Sequence, residues 1–146
     1  MSEENKNLVR RWFEEVWNKR RISAVAEMYH PSGHAHGFPD PDSVLTGPEQ
    51  FAAACKNFHE TFSDIHITLD ELVAEGDKVA VRWTATMTHT GEGLGFPATF
   101  RKVNLPGSSF VIFEKGMIID GWNQMDFTRI QKQLKESASD EVPVTT

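Results

Sequence analysis

The side chains best suited to proton transfer in this sequence are Asp126, His36 and His89, and Asn123 is the amide that could assist them. A carboxylate accepts protons and an imidazole titrates near neutral pH, so such a set reads as general acid–base machinery. His36 beside Asp40 or Asp126 would form an acid–base pair of the dehydratase kind. Asn123 offers two donors and one acceptor. It either binds a carbonyl or enolate oxygen or is a satisfied structural amide at the end of a strand. Asp126 directly precedes an apolar helical pattern, so it is either a base or a helix N-cap. His89 ends the alternating run Val79, Val81, Trp83, Ala85, Met87, and either enters the mouth of a pocket or simply closes the strand. His34 and His36 lie two apart and, with Asp40, Asp42 or His89, could ligate zinc, iron or nickel. A His-x-His pair without a fixed third ligand is a generic pattern, and no metal is assigned to it. His59 and His66 receive no role.

These groups must be held by recognisable elements. Leu8, Val9, Trp12, Phe13, Val16 and Trp17 recur at helical spacing, which predicts an amphipathic helix over Glu4–Trp17. Ile22–Tyr29 reads as a short second helix ended by Pro31 and Gly33, and His34–Gly47 as a loop or irregular strand. Pro48 opens a third helix that runs to about Phe62. Strands follow at Ile65–Leu69, Val79–His89, Thr99–Leu105, Phe110–Phe113 and Met117–Trp122, the last two as a hairpin over Glu114-Lys115-Gly116. Asp126 to about Glu136 is a closing helix, and 137–146 a polar tail. Helices followed by antiparallel strands indicate a single α+β domain over 1–136. Gly91–Pro97 is glycine-rich and could lid a pocket. It lacks the strand–helix setting and the lysine of a phosphate loop, which argues against nucleotide binding.

With 146 residues, 39% hydrophobic and 25% charged, the chain suits one globular domain. A net charge of −6 disfavours nucleic acid as the main partner. The apolar runs are strand-sized and the first residues are charged, so neither a membrane span nor a secretory signal is expected, and a cytoplasmic location is the default. The single cysteine, Cys55, excludes an internal disulfide. Ten Phe and four Trp stand against one Tyr, which suits an aromatic-lined cavity for an apolar ligand. Trp12, Trp17, Phe38, Phe51, Phe58, Trp83 and Phe96 are the candidate lining residues, with Met87 on the same face as Trp83.

Several stretches resemble the SnoaL-like polyketide cyclase family of the nuclear-transport-factor-2-like superfamily. They are Val9-Arg10-Arg11-Trp12-Phe13-Glu14-Glu15-Val16-Trp17-Asn18, His36-Gly37, Gly47-Pro48-Glu49-Gln50-Phe51, Ala74-Glu75-Gly76-Asp77-Lys78-Val79-Ala80-Val81-Arg82-Trp83-Thr84-Ala85-Thr86, Thr88-His89-Thr90-Gly91-Glu92 and Gly116-Met117-Ile118-Ile119-Asp120-Gly121-Trp122. The resemblance implies a cone: a curved antiparallel sheet packed against three N-terminal helices, enclosing a pocket. It also implies cofactor-free acid–base chemistry and a homodimer formed through the sheet. In the family's cyclases an aspartate just after the Trp of the last strand acts as acid/base, and a histidine on the preceding strand assists. The matching positions here hold Asn123 and Ser109, neither of which titrates as those groups do. Ser109 and Trp122 join the candidate ligand contacts on this footing, and His36 becomes a pocket-rim residue. The expectation is aldol-type cyclisation or isomerisation of an apolar carbonyl compound. Asp126 or His36 would act as the base, and Asn123 and His89 would hold the oxyanion. The alternatives are a non-catalytic binder of a hydrophobic small molecule, and a dehydratase or hydrolase.

Overall fold

The structure is a computed structural model that describes residues 2–93 and 97–144. Helix α1 (Ser2–Trp12) continues into a π-helical turn, Phe13–Asn18, and a short α2 (Ala24–Met28) follows. The sheet comprises β1 (Tyr29–His36), β2 (Val44–Thr46), β3 (His66–Glu75), β4 (Lys78–Thr88), β5 (Lys102–Glu114) and β6 (Met117–Met125). Helix α3 (Gly47–Thr61) lies between β2 and β3, and α4 (Phe127–Val144) closes the chain. The architecture is α+β, a curved sheet packed against helices, as the sequence implies. No helix among the described residues is long and apolar enough to cross a membrane.

The six strands run in the order β2-β1-β6-β5-β4-β3. Neighbours are antiparallel except β1 and β6, which are parallel, so the sheet is mixed where an antiparallel one is expected. The difference comes from Tyr29–His36. Pro31 and Gly33 read as helix end and loop, yet the segment pairs with β6 through a register shift between Tyr29 and His34. A proline is tolerated where the ladder is interrupted in this way. Likewise Thr99–Leu105 and Phe110–Phe113 belong to one strand, β5, that runs through Pro106-Gly107. Pro106 pairs with Thr84 one residue beyond the last pair with β6, where β5 has a partner on one side only. Helix α4 runs past residue 136, where the sequence ends it.

On β4 the alternation holds as read: Val79, Val81, Trp83, Ala85 and Met87 are buried toward the helices. Facing them, Val9, Trp12, Phe13, Val16 and Trp17 form the buried stripe of the first helical layer. Asn18 ties that layer to the sheet edge. Its amide donates to the Ile67 carbonyl at 2.9 Å and accepts from the Ile67 N–H at 2.7 Å, so a side chain serves as the missing neighbour of β3. On β6 a bulge at Ile119 places Ile118 opposite Phe113 and Asp120 opposite Ile112. Ile118, rather than Ile119, is therefore the buried residue, and Gly121 and Asn123 still face inward.

Gly107 is paired with Trp83 on the neighbouring strand, and the Trp83 indole lies over it. Any Cβ at Gly107 would collide with that ring. Gly107→Ala should therefore destabilise the fold by about 1–3 kcal/mol through overpacking, read as a lower urea midpoint with an unchanged m-value.

Candidate functional site

Between the inner face of the sheet and the helical layer lies a cavity of about 60 Å³. Trp12, Trp17, Phe38, Phe51 and Phe58 line it from the helix and loop side. Trp83, Met87, Leu105, Val111 and Ile118 line it from the sheet. Trp17 meets Phe38 edge-on at 5.4 Å and Phe58 edge-on at 5.8 Å, the ring geometry that aromatic pairs favour. The rings fill most of the space between the two layers, and the remaining volume is room for a few waters.

One polar chain crosses this apolar wall. The Trp83 Nε1–H donates to Ser109 Oγ at 3.1 Å, and Ser109 donates to Asn123 Oδ1 at 2.7 Å. Asn123 Nδ2 in turn donates to the His36 backbone carbonyl at 3.1 Å. Three side chains on β4, β5 and β6 and a main-chain oxygen on β1 thus satisfy one another. An amide nitrogen carries two protons, so Asn123 has a second N–H beyond the one given to His36. Ser109 and Asn123 both line the cavity.

Of the titratable candidates, His34 is among the lining residues, whereas Asp126, His36 and His89 lie elsewhere. Asp126 is exposed, and its Oδ1 accepts the Arg129 N–H at 2.9 Å, three residues on. It is the N-cap of α4 and not a lining residue. His36 is on the outer face of the sheet rather than at the pocket rim. Its Nε2 is 2.9 Å from Asp120 Oδ1, and its ring stacks on Trp122 at 4.9 Å. The reason is strand parity: Ala35 and Gly121 face inward, so their neighbours His36 and Trp122, paired in register, face out. Trp122 is accordingly 37% exposed and is not a lining residue. His89 is fully buried but outside the cavity lining. Its Nδ1 accepts the Thr99 N–H at 3.2 Å and its Nε2 donates to the Gly93 carbonyl at 3.1 Å, so both nitrogens are committed to holding the loop after β4. Phe96 and part of the expected lid lie outside the described residues. No group of three His, Cys, Asp or Glu among the described residues is arranged to hold a metal ion.

Two further buried groups complete the surroundings. Cys55 sits on α3 with its Sγ 4.0 Å from His59 Nδ1. Burial pushes its thiol up to about 12, which leaves it unreactive as a nucleophile at neutral pH. Tyr29, read from the sequence as the end of a helix, opens β1 and lines the cavity. Burial raises its hydroxyl above the ordinary range, with the Asp120 charge adding to the effect. Its one signal in the sequence is being the single Tyr among many Phe.

The family profile described as SnoaL-like polyketide cyclase matches residues 7–134. The aklanonic acid methyl ester cyclase DnrD of Streptomyces peucetius is 30% identical over 131 residues, 89% of this chain and 90% of that protein. TsrD of Streptomyces laurentii is 28% identical with a TM-score of 0.78, over 90% of this chain and 95% of that one. A crystal structure from Jannaschia sp. CCS1, called a SnoaL-like polyketide cyclase, superimposes with a TM-score of 0.83 at 21% identity, over 91% of this chain and 92% of that one. At that identity the likeness speaks for the fold alone.

The cap geometry of Asp126 is checked by a pair of variants. Asp126→Asn keeps a capping acceptor and should change stability by no more than a few tenths of a kcal/mol. Asp126→Ala should lose about 1 kcal/mol in urea unfolding.

Proposed function

The chain belongs to the SnoaL-like polyketide cyclase family, and we propose that its cavity binds an apolar, ring-bearing carbonyl compound of the polyketide kind and polarises one carbonyl through Asn123. The observation that carries this reading is the Ser109–Asn123 pair, a fixed polar point in a wall that is aromatic and aliphatic apart from His34. The second Asn123 N–H meets a carbonyl oxygen and strengthens its hold as charge moves onto that oxygen in an enolate. Ser109 holds the amide in register by donating to Oδ1. Such polarisation assists aldol-type closure or isomerisation of a compound already folded by the aromatic walls. The curated relative at 30% identity, a cyclase by name, supports ring closure as the reaction.

Asn123 does not titrate, so it contributes orientation and oxyanion stabilisation rather than proton abstraction. This gives weight to a second reading, in which the pocket holds its ligand without turnover. The specific observation behind it is that Asp126, His36 and His89 all stand outside the cavity lining.

Two measurements test these readings. Flavone, a planar aromatic ketone, should quench the emission of the wall tryptophans on binding. Asn123→Ala should weaken that binding by roughly 2- to 10-fold, the worth of one net hydrogen bond. Absence of binding to the wild-type protein overturns the proposal. Deuterium exchange at the α-carbon of 2-tetralone, followed by NMR, separates the readings. Exchange accelerated by the protein and slowed by Asn123→Ala supports chemistry, and exchange at the buffer rate supports holding alone.

We further propose that the outer face of the sheet is the contact of a homodimer. It carries Val73, Phe110 and Trp122 at 61%, 40% and 37% exposure around a groove of about 320 Å³. Arg82 beside it lies 3.5 Å from Glu71 and 3.9 Å from Asp70. A face with both charge signs around an apolar centre can pair with its own copy across a two-fold axis. The double variant Phe110→Glu/Trp122→Glu should run as a monomer in light scattering where the wild type runs as a dimer. A monomeric wild type overturns this assignment.

A further inference from the structure

Tyr29 is the single phenol in a chain with ten Phe, and it is 1% exposed. Its ring packs 5.5 Å from Phe51 and 6.1 Å from Trp12, in surroundings where a phenylalanine would fill nearly the same space. What distinguishes tyrosine here is the hydroxyl. That hydroxyl reaches the Leu45 carbonyl at 3.5 Å, against about 2.7–2.8 Å for an ordinary O–H···O bond. A buried hydroxyl with so weak a partner costs stability, and each such group in a native protein calls for an explanation.

Its place in the cavity supplies one. Tyr29 is paired with Ile118 near the start of β6, and Asn123 lies five residues further along the same strand. With the bulge at Ile119 taking up one residue, the two positions stand about 13 Å apart along the strand. Both residues line the cavity.

We propose that the Tyr29 hydroxyl is a second polar contact for the cavity's ligand. The compound would then carry a carbonyl at the Asn123 end and a second oxygen function, accepting a hydrogen bond, at the Tyr29 end. This deepens the carbonyl-binding reading and rests on it. The phenol is held protonated by burial and by the Asp120 charge, so it acts as a donor toward an ether, carbonyl or hydroxyl oxygen. The weak Leu45 contact is the bond it exchanges when the ligand arrives.

The test compares flavone with 4′-hydroxyflavone, which adds a hydroxyl at the end remote from the ketone. Wild-type protein should bind 4′-hydroxyflavone roughly 2- to 10-fold more tightly than flavone. Tyr29→Phe should abolish that difference, whereas Asn123→Ala should weaken both and preserve it. The unliganded Tyr29→Phe protein should melt at the wild-type temperature or above it, since it loses a poorly satisfied hydroxyl. A lower melting temperature would assign the hydroxyl to the Leu45 contact and overturn the inference. So would equal affinities for the two flavones in wild type, or a difference that survives in Tyr29→Phe. If neither compound binds the wild type, the carbonyl-binding reading fails and this inference falls with it.

Discussion

A polar group set into an apolar wall must be paired, and the chain Trp83–Ser109–Asn123–His36 carbonyl meets that demand across four strands. Several local features exist on its terms. Trp83 reaches Ser109 because it lies across Gly107, which has no Cβ to lift it. Asn123 faces inward because the bulge at Ile119 takes up one residue before it. The loop after β1 can approach β6 because Gly37, at φ +80°, presents no side chain to the Asn123 carbonyl. Change any of these and the amide loses its fixed place on the wall.

The same polar chain explains which parts of the site could be read from residue order alone. Period-two alternation on β4 and helical spacing over the first helix are dictated by burial, and burial is strong enough to be written plainly in the sequence. The N-cap role of Asp126 is legible as one of two readings, because a capping side chain needs only its position before a helix. His36 misleads because the pairing of β1 with β6 decides its face, and Pro31 and Gly33 hide that strand. His89 misleads differently. Its strand parity is inward as expected, but its nitrogens are taken by Thr99 and Gly93, partners that no local pattern announces. Tyr29 is hidden in the sequence because its segment reads as the end of a helix.

Aromatic packing sets the second constraint. Trp17, Phe38, Phe51 and Phe58 meet one another at 5.4–6.3 Å, which leaves the cavity only about 60 Å³. A ligand with several rings enters only by displacing these contacts and replacing them with its own. That exchange conserves buried apolar area, so it favours flat, ring-bearing molecules over flexible chains of equal size. Asn18 limits how far the helical layer can yield, because its amide is paired to both main-chain groups of Ile67. Side-chain rotation, above all of Phe38 on the loop after β1, is the less costly way to open.

The amide at position 123 is more than a carboxylate with its charge removed. The His36 carbonyl requires a donor, and Asn123 supplies one; an ionised carboxylate has none to offer and would set oxygen against oxygen. Ser109 Oγ accepts the Trp83 N–H and gives its own proton to Oδ1, so it supplies no donor between position 123 and the His36 carbonyl. The site is therefore organised around a neutral hydrogen-bond donor. On the carbonyl-binding proposal, a ligand would be gripped there by an oxygen atom, and the amide would hold and polarise it.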